Sequence, residues 1–331
     1  MGHLFVFTVK HMRDVAATPI PLVSVIIPAY KIASYIVETL DSVFAQTVRE
    51  FEVIVINDGS PDTEELEQAL APYLDRILYV RQENRGAGAA RNRGLREARG
   101  EFVAFLDGDD LWMPDYLEKQ LAFVREGSYD LTYADALIFG NSSNAGKTYM
   151  ETSSSEGPVT FVSLIRNECN VITSGVLARR VVLFDAGLFN ESLRKAQDFE
   201  LWTRLAKRGA RLAYQRNVLL KYRCREDNLS GNFMSRLARE MRVYRHIADT
   251  YDLTPAEHAE VSRVMELQKA AVALADAKLR LLGGRFDEAR TSFERAHRVL
   301  GGWKLRTVVL MLRVAPRLLR RLAGRRLRTQ S

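Results

Sequence analysis

The sequence contains little cysteine, and the spacing of its cysteines predicts neither a disulfide nor a metal site. Cys169 and Cys224 lie far apart and follow no C-x-x-C spacing. A small secreted domain held together by disulfides would carry more cysteines at closer spacing. We therefore expect two reduced thiols in a cytoplasmic protein.

Long apolar runs are also absent. A membrane-spanning helix needs about 20 consecutive apolar residues, and the sequence has no such run. The first apolar run, residues 4–9, is shorter than a signal-peptide core, and Lys10 follows it at once. The sequence predicts neither secretion nor a membrane span, and it predicts a loose leader over residues 1–20.

Acidic side chains are missing from the last 29 residues. Residues 303–331 carry nine Lys or Arg and no Asp or Glu, so the net charge of +7 becomes −2 for the first 302 residues. A nucleic-acid-binding domain usually carries its positive charge on the folded domain itself. The charge distribution therefore argues against nucleic acid as a partner.

What the sequence does contain is an alternation of two patterns. From Val23, short apolar runs rich in β-branched residues alternate with amphipathic helical stretches, which is typical of parallel βαβ units. The predicted strands are Val23–Pro28, Glu52–Asn57, Arg76–Val80 and Phe102–Leu106. The predicted helices are Ser34–Gln46, Thr63–Tyr73 and Ala87–Arg99, the last closed by Gly100 as a C-terminal cap. We expect an α/β fold with a doubly wound sheet.

Polar residues follow three of these strands. The first strand ends in Pro28-Ala29-Tyr30, the second in Asn57-Asp58-Gly59-Ser60 and the fourth in Asp107-Gly108-Asp109-Asp110. Ligands of such sheets bind in the crevice outside the carboxyl ends of the strands. We expect the three strand ends to meet in one acidic crevice.

The sequence pattern weakens after residue 140. Residues 141–157 are rich in Ser, Gly and Asn and predict a surface loop that could serve as a mobile lid. A helix, a small apolar segment over Asn170–Leu177 and a second helix around Asp198–Lys207 follow. From Ser235 the chain is predicted to be helical almost to its end.

Asp107 and Asp109 suit a hard divalent cation, because Mg²⁺ and Mn²⁺ take oxygen ligands and keep positions for diphosphate oxygens. The alternative is an Asp-rich turn that caps the helix beginning near Pro114. Asp58 could likewise belong only to a turn, since Asp-Gly is a common turn dipeptide.

The segment 84–92, NRGAGAARN, predicts a helix start with small residues and with Arg91 one turn in, an arrangement that favours an anion. The alternative is a loop followed by a solvated basic face.

In order along the chain, these motifs resemble those of the family 2 glycosyltransferases. They read VSVIIPAYK, SVFAQT, FEVIVINDGSPD, NRGAGAARNRGL, GEFVAFLDGDDLWMPDYL and AQDFELWTRLAKRG, followed by YRCREDNLS. The resemblance covers roughly residues 22–230 and implies the GT-A fold, a Rossmann-like mixed sheet. We expect a glycosyltransferase domain over residues 21–232, a helical region over 233–302 and a basic tail over 303–331.

The resemblance also implies roles for single residues. Pro28, Ala29 and Tyr30 would line the nucleotide base pocket, and Asp58 would accept a hydrogen bond from the base. Arg91 would belong to the donor pocket.

On the acidic side of the crevice, the resemblance implies that Asp107 faces ribose and metal and that Asp109 binds the metal that bridges the diphosphate. Asp198 would be the general base of an inverting displacement. The alternative for Asp198 is that it only caps the helix that runs to Arg208.

Some positions depart from the family pattern. Lys31 stands where Asn is usual, Asn57 replaces the first Asp of the turn, and Gln197 replaces the usual acidic residue before the base. The QxxRW element of processive members is missing, and Arg223 with Asn228–Ser230 stands where single-addition members carry an Arg-to-Ser segment. We expect one sugar to be added per encounter.

The resemblance implies a metal-dependent hexosyltransferase that moves one sugar from a nucleotide-diphosphate sugar, a UDP-sugar by expectation, to a hydroxyl of a glycan or lipid-linked acceptor. It would act in cell-surface polysaccharide or glycolipid synthesis. A nucleotidyltransferase is one alternative, although it would carry a Gly-rich basic loop where this chain has Pro28-Ala29-Tyr30-Lys31. A non-catalytic scaffold that keeps the GT-A fold is the other.

The helical end suggests two further features. Residues 271–299 resemble half of a tetratricopeptide repeat, and one such unit cannot bury its own face. We therefore expect a helical hairpin packed on the catalytic domain, with protein docking as the alternative.

In the tail, the apolar residues Leu305, Val308, Val309 and Leu312 alternate with arginines before a kink at Pro316. This predicts a helix on an anionic membrane surface at the inner face of the cell membrane. A disordered tail and a docking helix are the alternatives.

Overall fold

The structure is a computed structural model that describes residues 20–225 and 233–328. Side chains are described over 20–225 and 240–323. The predicted leader, apart from Ile20, and the predicted Asn228–Ser230 segment lie outside the described residues.

Within the described residues, one mixed sheet of eight strands forms the centre of the fold, in the order β3-β2-β1-β4-β7-β6-β8-β5. Strands β1 to β4 are parallel neighbours, whereas β7 and β5 run antiparallel to the strands beside them. The strands are β1 Val23–Ala29, β2 Phe51–Asp58, β3 Ile77–Gln82, β4 Phe102–Phe105, β5 Leu111–Trp112, β6 Leu131–Gly140, β7 Val176–Arg179 and β8 Leu212–Cys224.

Helices cover both faces of the sheet and continue beyond it. The helices that accompany the sheet are α1 Ile36–Phe44, α2 Thr63–Leu70, α3 Ala87–Glu97, α4 Tyr116–Glu126, α5 Tyr149–Thr152, α6 Phe161–Ile165, α7 Arg180–Asp185 and α8 Gln197–Lys207. The helices that follow are α9 Phe233–Thr250, α10 Pro255–Leu282, α11 Phe286–Leu300, α12 Trp303–Val314 and α13 Pro316–Arg328.

The side-chain alternation of the strands explains the two layers. Along β2, Val53 and Val55 enter the core on the side of α1, α2 and α4. Ile54 and Ile56 enter the core on the side of α3 and α8. Successive side chains of a strand point to opposite faces, so a strand that is apolar at every position is buried on both sides. The predicted doubly wound mixed sheet is confirmed.

One predicted feature of this layer is wrong. Gly100 was expected to cap α3, but the helix ends at Glu97 and Ala98 is its C-cap. Gly100 instead donates its N–H to Ser24 Oγ at 2.9 Å. A Cβ at Gly100 would lie 2.7 Å from the backbone nitrogen of Ser24, so the glycine permits a close approach to β1.

The middle of the chain holds more regular structure than expected. Strands β6 and β8 were not predicted, and they pair in parallel along ten residue pairs. The segment 141–157, predicted as a loop, contains α5, which begins with a capping box at Thr148. It also hydrogen bonds back to β6, because Ile138 N donates to Lys147 O at 2.9 Å.

The C-terminal helices form two cores. The first half of α10 packs with α9 against α6 and includes Val261 and Val264. The second half of α10 packs with α11, α12 and α13 around Phe293. The predicted hairpin is therefore present as α10–α11. Helix α11 packs on α10 and α12, and α10 also packs on α6 of the sheet layer through Val261 and Val264.

The tail consists of two helices that meet at Pro316, as the predicted kink requires. The four apolar residues expected to face a membrane, Leu305, Val308, Val309 and Leu312, instead pack into the core around Phe293. That expectation about the apolar face is wrong, because the end of α10 and α11 offer apolar surface for α12 to cover. Among the described residues, no helix is both long enough and apolar enough to cross a bilayer.

Candidate functional site

The candidate site lies where the parallel strands β1, β2 and β4 end side by side. Ala29 pairs with Asn57 across β1 and β2, and Ile26 pairs with Phe105 across β1 and β4. The polar residues that follow these strands therefore emerge at one edge of the sheet, as predicted. Gly108 lies close enough to β1 that a Cβ there would be 3.3 Å from Pro28 O.

Asp58 is almost fully enclosed at the end of β2, with 3% exposure. Its Oδ1 accepts from Gln82 Nε2 at 2.7 Å and from Arg85 N at 2.9 Å, and its Oδ2 accepts from Gly86 N at 2.7 Å. The carboxylate thus holds the chain just before α3. A carboxylate has about four acceptor positions, which leaves one for a ligand donor.

The loops after β1 and β2 are joined by hydrogen bonds. Lys31 N donates to Ser60 Oγ at 2.7 Å, Ala33 N donates to Asp62 Oδ2 at 3.0 Å, and Ser60 Oγ donates to Asp62. Lys31 has a positive φ of 56°, a conformation that Asn adopts more readily. The loops form one connected rim of the crevice.

The three residues expected to line the base pocket differ in exposure. Ala29 is buried, Pro28 is half-buried and Tyr30 is 43% exposed. Asn57 points inward, where its Nδ2 donates to Thr63 Oγ1 and Tyr79 Oη. Of these residues, Tyr30 offers a ligand the largest free surface.

Arg91 is buried on α3 and faces the acidic strand end. Its Nη2 donates to Asp107 Oδ1 at 2.5 Å, and its side chain is 5% exposed. The alternative of a solvated basic face is therefore wrong for this residue. An anion was expected at the start of α3. In the structure the carboxylate of Asp58 lies there and accepts a hydrogen bond from Gly86 N, the N-cap residue of the helix.

Asp109 is also paired with an arginine. Arg225 Nη1 lies 3.3 Å from Asp109 Oδ2, and Arg223 Nε donates to the Asp109 carbonyl at 2.8 Å. Burial and the negative charge of Asp107 raise the pKa of Asp109 to about 6. The two carboxylates thus repel each other in a poorly solvated place.

Asp110 holds the acidic turn in position. Its Oδ2 accepts from Ser174 Oγ at 2.5 Å, and its Oδ1 accepts from Arg223 N at 2.8 Å. The side chain is buried, and burial together with Asp109 and Asp107 raises its pKa well above the usual range. The N-cap of α4 is Asp115, so the alternative that the acidic turn caps this helix is wrong.

Asp198 lies in the first turn of α8, half-buried. Its Oδ2 accepts from Thr173 Oγ1 at 3.0 Å and its Oδ1 accepts from Phe199 N at 2.8 Å. The N-cap of α8 is Ala196, and Asp198 is two residues further on. The capping alternative therefore accounts for Oδ1, which accepts from a backbone N–H of α8, but not for Oδ2, which accepts from Thr173.

A short 3-10 turn, Thr173–Gly175, connects the two acidic groups. Thr173 donates to Asp198, and Ser174 donates to Asp110 and accepts from Asp107 N at 3.2 Å. Because Thr173 and Ser174 are neighbours in the chain, Asp198 and the acidic turn lie in the same region of the crevice.

The Asp107 and Asp109 pair fits a divalent cation. Both carboxylates are held by guanidinium groups, and their mutual repulsion would be relieved by a bound positive charge. Among residues 20–225 and 233–328, no group of three or more acidic, His or Cys side chains could hold a metal. A metal at this pair would need further oxygens from a ligand or water, as Mg²⁺ commonly does.

Sequence reasoning missed several residues of this site. Thr173 and Ser174 stand in a segment interpreted only as small and apolar, and Asp110 and Arg225 were given no role. The available signal was a Thr-Ser pair in the middle of the otherwise apolar segment Asn170–Leu177. The partners of Thr173 and Ser174 are between 25 and 67 residues away in the chain.

The mixed sheet, its two helical layers and the acidic crevice define an α/β protein of the GT-A type. The family model of glycosyl transferase family 2 matches residues 24–184. A Bacillus subtilis protein named "Putative teichuronic acid biosynthesis glycosyltransferase TuaG" is 31% identical over 233 residues, 69% of this chain and 88% of the relative. The chain belongs to glycosyl transferase family 2.

Some other relatives are longer proteins. An uncharacterized glycosyltransferase of Rickettsia felis is 32% identical over 212 residues, which is 61% of this chain but 34% of the relative. The chain thus spans about a third of the length of this relative.

Solved structures share the fold at low identity. S. aureus TarS residues 1–349, solved in complex with UDP-GlcNAc, are 23% identical to this chain. The two structures superpose with a TM-score of 0.61, and the match covers 93% of this chain and 92% of TarS 1–349. The mannosyltransferase PcManGT from Pyrobaculum calidifontis, solved in complex with GDP-Man and Mn²⁺, is 19% identical. It superposes with a TM-score of 0.60, and the match covers 93% of this chain and 85% of PcManGT.

Proposed function

We propose that the chain is an inverting glycosyltransferase that moves a single hexosyl unit from a nucleotide-diphosphate sugar to a hydroxyl group. The observation that carries this proposal is the connection of Asp198 to the Asp107–Asp110 turn through Thr173 and Ser174. It brings the half-buried Asp198 carboxylate into the same region of the crevice as a pair of carboxylates suited to a diphosphate-bound cation. Family membership supports the same reaction.

In the proposed reaction, Asp198 takes the proton of the acceptor hydroxyl while its oxygen attacks the anomeric carbon. The bond from that carbon to the diphosphate oxygen breaks on the opposite face, so configuration inverts and a nucleoside diphosphate leaves. A positioned general base typically contributes about 10²–10⁴-fold. Thr173 donates to Asp198 and so keeps the carboxylate oriented.

We assign the donor nucleotide to the rim formed by Pro28, Ala29, Tyr30 and Asp58. Asp109 and Asp107 would hold Mg²⁺ or Mn²⁺, which supplies positive charge to the departing diphosphate when bound. Arg91 and Arg225 pair with these carboxylates and would keep the acidic turn neutralised before the donor arrives.

We further propose a UDP-sugar as donor and a glycan or lipid-linked acceptor in cell-surface polysaccharide or glycolipid synthesis. TuaG carries a teichuronic acid name and TarS was solved with UDP-GlcNAc, and both support this choice. The protein would work in the cytoplasm, peripheral on the inner face of the cell membrane and attached to its anionic surface through residues 303–331.

The proposal is tested by incubating the purified chain with Mn²⁺, a panel of UDP- and GDP-sugars and an isolated polyprenyl-linked or glycan acceptor. Release of nucleoside diphosphate with a product of inverted anomeric configuration by NMR is the expected result. In a parallel reaction with UTP or GTP and a sugar 1-phosphate, release of inorganic diphosphate with formation of the nucleotide-sugar would identify a nucleotidyltransferase instead. No turnover with any donor, together with no nucleotide binding, would identify a scaffold.

A further inference from the structure

Helix α12 is apolar on two opposite sides. Its inner side packs into the core around Phe293 through Leu305, Val308, Val309 and Leu312. Trp303, Leu310 and Val314 are spaced seven and four residues apart, so at 3.6 residues per turn they share one line along the helix. That line lies opposite Leu312. A helix that only covered a core would be polar there.

These outer residues are highly exposed. Trp303 is 73% exposed, Leu310 is 60% and Val314 is 78%. Helix α13 adds two more exposed apolar side chains, Leu318 and Leu322. We call these five residues the outer stripe. They are five of the sixteen large apolar side chains exposed among the described residues, and they fall within 20 residues of chain.

The charged side chains that the tail itself places beside the outer stripe are all positive. Lys304, Arg306, Arg317 and Arg321 are exposed beside it, and residues 303–331 contain no acidic residue. Arg313 pairs with Glu294 of α11 at 2.8 Å, at the border of the stripe. An exposed apolar line flanked by cations complements a surface that is apolar below and anionic above.

We propose that the outer stripe inserts into the interfacial region of an anionic lipid bilayer, with the neighbouring arginines on the lipid phosphates. This proposal rests on the membrane attachment proposed above. It assigns membrane contact to the outer face of α12, whereas the sequence pattern indicated the face of Leu305, Val308, Val309 and Leu312, which packs into the core. Trp suits the headgroup level, and Arg can keep its charge in water while its stem lies in the interface.

A second copy of the chain is the competing occupant, and charge disfavours it. Two outer stripes facing each other would bring two sets of unpaired cations together, which weakens association. An anionic bilayer has the opposite charge and attracts each cation near its surface.

Deleting residues 303–331 would test this badly, because it would also uncover the core around Phe293. Surface substitutions leave that core intact. In the full chain, Leu310→Asn with Val314→Asn removes the centre of the outer stripe. Val181→Asn with Leu279→Asn is the matched control, since these residues are 60% and 64% exposed on α7 and α10.

Binding is measured by co-sedimentation with phosphatidylcholine vesicles that contain about 30 mol% phosphatidylglycerol. The wild type and the control pair are expected to bind, and the outer-stripe pair should lose about tenfold in partitioning. Arg306→Gln with Arg317→Gln should lose about fivefold per cation at low salt. Thermal unfolding of all variants should match the wild type, which shows that the core is intact.

Equal binding by the outer-stripe pair and the wild type would overturn the assignment while leaving membrane attachment in place. Failure of the wild type to bind would overturn both, and glycosyl transfer would still be tested separately with the acceptor assay. A wild-type dimer that the outer-stripe pair abolishes, without vesicles, would identify a second copy as the occupant and overturn the lipid proposal.

Discussion

Two carboxylates of the crevice, Asp58 and Asp109, are satisfied in different ways. Asp58 accepts three hydrogen bonds from neutral donors, two of them backbone N–H groups that hold the start of α3. Asp109 faces the guanidinium of Arg225 and the repelling charge of Asp107. The hydrogen bonds of Asp58 fix the backbone before α3. The carboxylate of Asp109 carries a charge that a bound cation could neutralise in place of Arg225. The crevice thus has a rigid side at Asp58 and, at Asp109, a side where one cation could replace another; under the proposed function the first would take the nucleotide and the second the diphosphate.

The largest effect is expected on the chemistry, where Asp198→Asn keeps the shape and the bond from Thr173 but removes the base. The rate of sugar transfer should fall by about 10²–10⁴-fold, with the affinity for UDP unchanged. Initial rates at saturating donor measure the loss. Asp185→Asn, an exposed residue at the end of α7, is the matched control and should keep full activity. Full activity of Asp198→Asn would assign the base to another residue.

On the rigid side, Asp58→Asn should lower stability rather than chemistry alone. The substitution removes the charge from a buried group that accepts three hydrogen bonds. It also replaces one carboxylate oxygen by an NH₂ group, which would face N–H donors that it cannot accept from. The free energy of unfolding should fall by about 2 kcal/mol, measured by urea unfolding. Asp185→Asn should stay within about 0.5 kcal/mol of the wild type. An equally small change for Asp58→Asn would show that these bonds do not hold the loop.

The smallest effect is expected at the connection between the two acidic groups. Thr173→Val keeps the volume and removes the donor to Asp198, so the transfer rate should fall about tenfold with the donor KM unchanged. Thr173→Ser restores the hydroxyl and should recover most of the rate. Thr291→Val, at an exposed position of α11, is the control. A loss that Ser does not recover would indicate a packing effect in place of orientation.

Local pattern was sufficient for the first half of the sheet. Strands β1 to β4 are short, apolar at successive positions and separated by helices, so each could be located within a few residues. Strands β6 and β8 were missed because β6 carries the buried Asp135 and β8 carries the polar residues Arg216 and Asn217 at exposed positions. Their pairing depends on neighbours distant in sequence, which a local pattern does not contain.

The site shows the same limit. The strand-end carboxylates Asp58, Asp107 and Asp109 could be located because strand ends are local. The support from Thr173 and Ser174 and the pairing with Arg225 join residues far apart in the chain. The tail was misjudged for a related reason, because the apolar residues of α12 lie on two faces and the pattern does not say which face another helix covers.

The most direct test of the central claim is calorimetric titration with UDP, with and without Mn²⁺, of wild type, Asp109→Asn and Asp185→Asn. We expect Mn²⁺ to strengthen UDP binding to the wild type and the control, and Asp109→Asn to remove this gain while leaving weak metal-free binding. Equal UDP affinity with and without Mn²⁺ in the wild type would contradict the assignment of Asp109 as the group that brings metal and diphosphate together.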